Sequence, residues 1–312
     1  MTTAGGVVRN LREQRIIITG ASGGIGRALA EMLAAKGARL ALAARSLDKL
    51  EVLARLLTER GTEVIAVPTD VTNPADRQRL FEVTAEQFGG VDILVNNAGI
   101  ASFGHFAGSS EAILRQIMEV NFFAPAELTR LAIPYLAKGR QPALVNVSSM
   151  CGRKGLPAWP EYSASKHALV GLTEALRGEM TRFEIDVLLI LPGLTKSDLG
   201  SHLLRNEGRM KIDFAGGMAP EKVAAGIVKA LEHNRTETII GSDARWMLRV
   251  QRFFPRLVDR ILARKVRQLY ANSPAMEVRA PKSRAFAPGP RLYEPPSITE
   301  QVNSMGRGRK LS

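Results

Sequence analysis

The sequence contains little of what several common kinds of functional site require. Cys151 is the single cysteine among 312 residues, which excludes an internal disulfide framework and a zinc site built on cysteines. Four scattered histidines, at positions 105, 167, 202 and 233, predict no metal cluster. No apolar run approaches the roughly 18 residues of a membrane span, and the N-terminal stretch has no apolar core typical of a signal peptide. These absences predict a cytoplasmic protein without a metal site.

The charge of the chain is concentrated near its C-terminus. The net charge is +13, and the stretch 242–312 holds 15 Lys/Arg against 5 Asp/Glu. The first 241 residues carry only +3. We therefore predict a globular domain over 1–241, a basic helical extension over 242–272, and a disordered basic tail over 273–312 that is rich in Pro, Gly, Ser and Arg.

Apolar strand-like runs alternate with helix-like segments through the first 241 residues. The predicted strands are 15–20, 39–44, 62–70, 91–99, 143–149, 185–193 and 237–241. The predicted helices are 26–37, 46–61, 74–89, segments within 109–138, 161–182 and about 220–233. Near-continuous apolar strands separated by helices are typical of a Rossmann-like, doubly wound α/β domain, with a mostly parallel sheet covered on both faces. Ligands of such sheets bind at the carboxyl ends of the strands.

A glycine-rich turn, "TGASGGIG", follows the first predicted strand and opens a helix. Gly20, Gly24 and Gly26 there permit a tight turn, close approach to a pyrophosphate and close packing of helix on strand. We predict that this turn, with Ser22 and Ile25, binds a dinucleotide. The same letters also match the G-x-S-x-G nucleophile elbow of hydrolases, with Ser22 as nucleophile and a histidine at 202 or 233 as its base.

The second strand ends in "AARS", where a site for NAD would place a carboxylate. Arg45 stands there instead, and a guanidinium can bind the 2′-phosphate of NADP in a bidentate manner. We therefore predict that the cofactor is NADP(H), with NAD(H) as the alternative.

The segment "YSASK" places Tyr162 and Lys166 on one face of the helix 161–182. Either residue alone is inert near neutral pH, because an isolated tyrosine titrates at about pH 10 and an isolated lysine at about 10.4. A lysine cation beside the phenol lowers the phenol's pKa and so favours an acid/base role.

Taken together, these motifs make the chain resemble the short-chain dehydrogenase/reductase family over roughly 12–241. The resemblance rests on T-G-x-x-x-G-x-G at 19–26, N-N-A-G at 96–99, a serine 13 positions before the tyrosine, Y-x-x-x-K at 162–166, and P-G at 192–193. It implies an oxidoreductase that interconverts a ketone or aldehyde and an alcohol with NAD(P). A dimer or tetramer is implied as well.

The resemblance also implies roles for individual residues. Tyr162 is expected to be the general acid/base, and Lys166 to lower its pKa and hold the nicotinamide ribose. Ser149 is expected to orient the substrate oxygen, and Asn121 to support a water in a proton relay. The further cofactor contacts that it implies are Asn97, Gly99, Asp70, Val71, Pro192, Gly193, Thr195 and Ser197. Many NADP-preferring members carry a basic residue inside the glycine turn; this chain does not, so the preference rests on Arg45.

The segment between Gly193 and Pro220 is where this family builds its substrate lid. Its apolar residues, with Trp159 near the tyrosine, predict an apolar small-molecule substrate: a lipid-like, steroid-like or aromatic carbonyl compound or alcohol. Its basic residues (Lys196, Arg205, Arg209 and Lys211) leave an acidic group on the substrate as an alternative. A non-catalytic dinucleotide sensor or scaffold is the alternative to an enzyme.

The segment 243–270 reads as a basic amphipathic helix that Pro255 kinks or divides. Its arginines lie at steps of three and four, with apolar residues opposite: Trp246, Val250, Phe253, Leu257 and Ile261. This pattern predicts either contact with a membrane surface, on the inner face, or packing against the domain or a second subunit. It predicts no nucleic-acid partner, because no aromatic–basic platform is present.

Overall fold

The computed structural model describes residues 8–196, 200, 203–208 and 216–271. The strands are β1 (Arg15–Thr19), β2 (Arg39–Ala44), β3 (Val64–Pro68), β4 (Ile93–Asn96), β5 (Ala143–Val147), β6 (Asp186–Pro192) and β7 (Glu237–Ile240). The helices are α1 (Gly24–Ala35), α2 (Leu47–Glu59), α3 (Pro74–Phe88), α4 (Glu111–Met118), α5 (Ala124–Leu136), α6 (Pro160–Met180), α7 (Pro220–Glu232), α8 (Ser242–Phe253) and α9 (Pro255–Tyr270).

The strands form one parallel sheet, which confirms the predicted doubly wound fold. Their order is β3-β2-β1-β4-β5-β6-β7. In register, Ile16 of β1 pairs with Leu40 on one side and with Ile93 on the other. The chain winds outward from β1 to β3 and then returns to β4, so the winding direction reverses between β1 and β4. This reversal opens a crevice at the carboxyl ends of those two strands, which is where such folds bind ligands.

Helices cover both faces of the sheet, and for this reason the strands are apolar on both faces. Ile16 and Ile18 pack on the side of α1, α2 and α7, whereas Ile17 between them packs on the side of α3, α5 and α6. All three isoleucines are fully buried. This two-sided burial explains why the strands read as continuous apolar runs rather than as alternating patterns.

The helical segments predicted within 109–138 are two α-helices, α4 and α5. A π-helical turn, Glu119–Phe123, separates α4 from α5 and carries the buried Asn121 at its centre. Such single π-helical turns inside α-helices are frequent at functional sites.

Pro255 divides the C-terminal helical segment into α8 and α9, as one of the sequence alternatives predicted. Phe254 lies between the two helices with non-helical backbone angles. Ala244 of α8 and Val258 of α9 are buried. Within the described part of the chain, no helix combines the length and the apolar character that a membrane span needs. The predicted tail 273–312 lies outside the described residues.

Candidate active site

A cavity of about 1120 Å³ lies at the carboxyl ends of the strands. Three groups of predicted residues share its wall: the glycine turn, the Ser149–Tyr162–Lys166 set, and the Pro192–Gly193 turn. The size exceeds that of a typical pocket for one drug-sized ligand, roughly 300–1,000 Å³. It therefore suits a dinucleotide and a substrate together.

The glycine turn lies between β1 and α1. Its shape lets the backbone of the turn come close to a bound ligand and to the start of α1. Gly20 has a φ of +66°, and a Cβ placed on Gly26 would lie 2.2 Å from the carbonyl oxygen of Gly20. Gly26 therefore packs under the turn, while Gly20, Ser22 and Gly24 line the cavity. The first turn of α1 points free N–H groups and the positive end of its dipole at this wall. Its first turn carries no acidic side chain, so the site is suited to a pyrophosphate.

Asn97 holds the glycine turn against β4. Its side-chain amide donates hydrogen bonds to the carbonyl oxygens of Thr19 (2.9 Å) and Gly20 (3.3 Å). The hydroxyl of Thr19 in turn accepts from the backbone N–H groups of Asn97 and Ala98. Asn97 lines the cavity as well, so it both forms part of the cofactor pocket and holds the glycine turn in place.

The end of the cavity beside β2 and β3 is basic. Arg45, Ser46 and Lys49 line it together with Asp70 and Val71. Burial raises the pKa of Asp70, but two hydrogen bonds from Thr72 and the charge of Arg45 outweigh burial and leave this pKa below its usual value. Asp70 is thus ionised at neutral pH. The sequence interpretation missed Lys49, which stands four residues after Arg45 at the start of α2.

Tyr162 and Lys166 lie on the same side of α6, facing the cavity. The Nζ atom of Lys166 lies 5.8 Å from the centre of the Tyr162 ring and donates a 3.0 Å hydrogen bond to the carbonyl oxygen of Val147. Only 4% of the Lys166 side chain is exposed. The end of β5 thus fixes the ammonium group beside the phenol.

Burial dominates the titration of this pair. It raises the pKa of Tyr162 above its ordinary value, against the hydrogen bond with Ser149, which lowers it. Burial also lowers the pKa of Lys166 to about 8. The sequence-based prediction that the pKa of Tyr162 is lowered is therefore wrong in sign. Burial destabilises the phenolate by more than the Ser149 side chain stabilises it. Tyr162 keeps its proton throughout the neutral range.

Ser149 is the serine that reaches the phenol, as the spacing predicted. The Ser149 side chain lies near enough to Tyr162 to lower the phenol's pKa, and its hydroxyl accepts a 3.1 Å hydrogen bond from the backbone N–H of Cys151. Ser148 instead donates to the backbone carbonyl of Lys166, at 3.0 Å, and so braces α6. Burial raises the pKa of the Cys151 thiol to about 11, which keeps that thiol neutral beside the catalytic groups.

Asn121 lies behind the catalytic groups rather than in the cavity wall. Its side-chain oxygen accepts from the N–H of Ile100, and its amide donates to the carbonyl of Ile100 and to the hydroxyl of Ser165. A Cβ placed on Gly99 would lie 3.3 Å from the Asn121 oxygen and 3.6 Å from Nζ of Lys166. Glycine at position 99 therefore leaves free the space between Asn121 and Lys166.

The wall opposite the glycine turn follows β6. Pro192, Gly193 and Thr195 line it, and the Thr195 hydroxyl donates a 3.0 Å hydrogen bond to the carbonyl of Gly193. Ala244 of α8 packs against Gly193, where an added Cβ would lie 3.1 Å from the Ala244 Cβ. The predicted contact Ser197 lies outside the described residues.

Comparison with known proteins agrees with this arrangement. The family model described as short chain dehydrogenase matches residues 14–208. A ketoacyl reductase, HetN, from a Nostoc species is 33% identical over 80% of this chain and 88% of its own length. A short chain dehydrogenase/reductase of Burkholderia phymatum, solved in complex with NAD, has a TM-score of 0.73 at 28% identity, over 80% of this chain and 96% of that one. A short chain dehydrogenase of Burkholderia cenocepacia, solved with NADP, has a TM-score of 0.67 at 28% identity, over 76% and 100%.

The chain belongs to the short chain dehydrogenase family. It is accordingly an oxidoreductase of CH–OH and C=O groups that uses a nicotinamide dinucleotide. This finding sets aside the alternative of a non-catalytic sensor or scaffold. The glycine turn, the open N-terminus of α1 and the cradle under Gly20 are the features of this dehydrogenase that fit such a cofactor.

The substrate half of the cavity has an apolar wall. Trp159 is buried, with its ring 5.0 Å from that of Phe103 and 5.7 Å from that of Tyr162. The apolar residues that line this half are Met150, Leu156, Pro157, Trp159, Leu194, Leu203, Leu204, Met247 and Leu262. The sequence interpretation missed Met247 of α8 and Leu262 of α9, because it placed these helices outside the catalytic domain.

Arg205 does not line the cavity, so it is not placed to bind an acidic group of a substrate there. Its side chain is buried away from the cavity, donates a 2.7 Å hydrogen bond to the carbonyl of His105, and lies 3.7 Å from the carboxylate of Glu207. Lys196 is exposed and does not line the cavity. The other two basic lid residues of that alternative, at 209 and 211, lie outside the described residues.

The hydrolase alternative finds no histidine base beside Ser22 among the described residues. Ser22 lines the cavity beside the start of α1, but no histidine among the described residues lines it. His233 follows α7, and its Nδ1 atom lies 3.0 Å from the carbonyl oxygen of Lys229. The other histidine considered for this role, at 202, lies outside the described residues.

Proposed function

We propose that this dehydrogenase interconverts an apolar ketone or aldehyde and the corresponding alcohol with NADP(H), with Tyr162 as the general acid/base. The observation that carries the proposal is the joint position of Tyr162, Ser149 and Lys166 on the wall of the cavity that also holds the glycine turn. The bound cofactor supplies or accepts the hydride, and the protein supplies orientation and proton control.

The raised pKa of Tyr162 suits carbonyl reduction at neutral pH. A phenol that keeps its proton can donate it to a carbonyl oxygen as negative charge develops there. Ser149 lines the cavity together with Tyr162, so its hydroxyl is placed to donate to the same oxygen. The Lys166 cation then stabilises the phenolate that remains. Alcohol oxidation requires that phenolate at the start and is expected to be favoured only at higher pH.

The basic end of the cavity supports a preference for NADP(H) over NAD(H). Arg45 and Lys49 line the cavity just after the end of the second strand, where this fold binds the adenosine ribose. A 2′-phosphate on that ribose would meet both cations. Replacing Arg45 with Ala removes one charged hydrogen-bond donor, so the Kd for NADPH should rise about 10- to 100-fold. The Kd for NADH should stay within about threefold, since NADH lacks the 2′-phosphate. Isothermal calorimetry measures both constants; equal losses for the two nucleotides would contradict the preference.

The apolar wall supports an apolar substrate. We propose a lipid-like, steroid-like or aromatic carbonyl compound, which Trp159, Leu156 and Leu203 would contact beside Tyr162. A panel of ketones matched in reactivity but differing in chain length tests this by NADPH consumption. The value of kcat/KM should rise with each added methylene, up to roughly fourfold per buried CH₂. A preference for short polar ketones would contradict the proposal.

We propose in addition that the enzyme is a homo-oligomer, a dimer or tetramer, of the cytoplasm, with the segment 243–270 in contact with the inner face of a membrane. The positive charge and the exposed aromatic residues of α8 and α9 support this contact.

A further inference from the structure

The outer face of α8 and α9 exposes large apolar side chains that nothing in the described chain covers. The exposed fractions are 69% for Trp246, 71% for Phe253, 61% for Phe254, 47% for Leu257 and 56% for Ile261. These five residues form the docking face. Steps of seven from Trp246 to Phe253 and of four from Leu257 to Ile261 keep each pair on one side of its helix. The opposite sides, with Ala244 and Val258, are the ones that pack on the domain.

Arginines border the docking face along both helices. They are Arg245, Arg249, Arg252, Arg256, Arg260 and Arg264, and all are exposed. None of the six forms an ion pair with another described residue, so these cations face solvent with their charge uncompensated. A face of aromatic and aliphatic side chains edged by cations is complementary to an anionic lipid surface: the apolar groups enter the acyl boundary and the guanidinium groups meet phosphates.

This charge argues against a second copy of the chain as the occupant. A two-fold contact through the docking face would bring two sets of six arginines together at the rim, whereas α8 and α9 carry only two acidic residues, Asp243 and Asp259, the second already paired with Lys154. The repulsion would oppose the burial of the same apolar groups. An anionic bilayer has no such penalty.

The same two helices form part of the catalytic cavity. Met247, next to Trp246, and Leu262, next to Ile261, line the cavity together with Tyr162. The docking face and part of the cavity lining thus belong to the same two helices, each only about 10 Å across with its side chains. A bilayer that holds the docking face is therefore close to the apolar part of the substrate site.

We infer that α8 and α9 dock this enzyme on an anionic bilayer and that its apolar substrate reaches Tyr162 from that bilayer. This inference rests on the proposed reductase function for its second half. The docking half depends only on the exposed residues and the charge of the two helices.

Co-sedimentation of the full chain with vesicles tests the docking half. The vesicles are phosphatidylcholine alone, or phosphatidylcholine with phosphatidylserine. Wild type should pellet with the anionic vesicles and remain in solution with the neutral ones. The variant Trp246→Ser/Phe253→Ser/Leu257→Ser should lose this binding. The variant Arg249→Gln/Arg256→Gln/Arg260→Gln should lower the bound-to-free ratio about 100-fold, at about 1 kcal/mol per arginine.

A matched control comes from α2, outside the docking face. Val52 is 62% exposed and Arg55 is exposed on the same helix, so Val52→Ser/Arg55→Gln removes similar groups. Binding by the control variant should equal that of wild type. Equal binding by the apolar variant, with loss only in the arginine variant, would overturn docking through the apolar side chains and leave only charge attraction between the arginines and the anionic lipid. A change of oligomeric state in the apolar variant without vesicles, measured by sedimentation velocity, would instead assign the face to a second copy.

Turnover separates the two halves of the inference. The probes are 2-tridecanone dissolved in anionic vesicles and cyclohexanone in water, both with NADPH. The apolar variant should reduce cyclohexanone like wild type but show at least a tenfold lower kcat/KM for vesicle-borne 2-tridecanone. Equal use of the vesicle-borne ketone by both proteins would overturn delivery from the bilayer. If wild type reduced neither ketone, both the proposed function and delivery from the bilayer would be refuted. Binding to the bilayer would then be tested by the sedimentation experiment alone.

Discussion

The pKa of Lys166 predicts the pH at which carbonyl reduction declines. Burial lowers this pKa to about 8, so about 90% of molecules carry the lysine cation at pH 7 and about 10% at pH 9. The charged form is the active one, because it stabilises the phenolate that Tyr162 becomes after proton donation. Activity is therefore full below the pKa and is lost as the pH rises through it. We expect kcat/KM for a ketone to fall about tenfold between pH 7 and pH 9.

The assay follows NADPH consumption at saturating NADPH over this pH range. Tyr162 and Cys151 do not interfere, since burial raises both pKa values above the range. Lys166→Arg is the matched control, because its guanidinium stays charged to high pH; its rate is expected to be lower but flat. A flat wild-type profile, or the same midpoint in Lys166→Arg, would refute the assignment of the titrating group.

Two further predictions concern packing. Gly26→Ala places a Cβ 2.2 Å from a backbone oxygen of the glycine turn, so the Kd for NADPH should rise about 10- to 100-fold. In the control Gly171→Ala, the added Cβ meets no atom within 4 Å, so calorimetric binding of NADPH should be unchanged. An equal rise of the Kd in both variants would contradict a role of the glycine turn in binding NADPH. Asp92 is fully buried and pairs with Arg15 at 2.6 Å, so Asp92→Asn should lower the free energy of unfolding in urea by about 3 kcal/mol. A loss below about 1 kcal/mol would show that the pair behaves like a surface ion pair.

Local patterns carried most of the catalytic prediction. The glycine turn could be recognised because glycine spacing, a preceding strand and a following helix are all short-range features. Tyr162 and Lys166 could be placed on one face because helical spacing fixes their direction. Ser149 followed from the family resemblance, which expects a serine 13 positions before the tyrosine, and the structure places both residues on the cavity wall.

Long-range packing decided what the sequence could not predict. Met247 and Leu262 belong to helices that follow the sheet in sequence, and nothing local reveals that these helices close the cavity. The sign of the pKa change at Tyr162 depends on how deeply the fold buries the phenol, which the neighbouring Lys166 does not indicate. The π-helical turn at Asn121 likewise depends on the contacts of that side chain with Ile100 and Ser165.

Single-turnover reduction of 2-tridecanone by Tyr162→Phe, with NADPH binding measured on the same sample, is the most direct test of Tyr162 as the general acid. Phenylalanine keeps the ring beside Trp159 and removes only the hydroxyl that donates the proton. We expect an unchanged Kd for NADPH and a loss of about 10²–10⁴-fold in the rate of NADPH oxidation. A variant that bound NADPH normally and reduced the ketone at the wild-type rate would contradict the assignment of Tyr162 as the general acid.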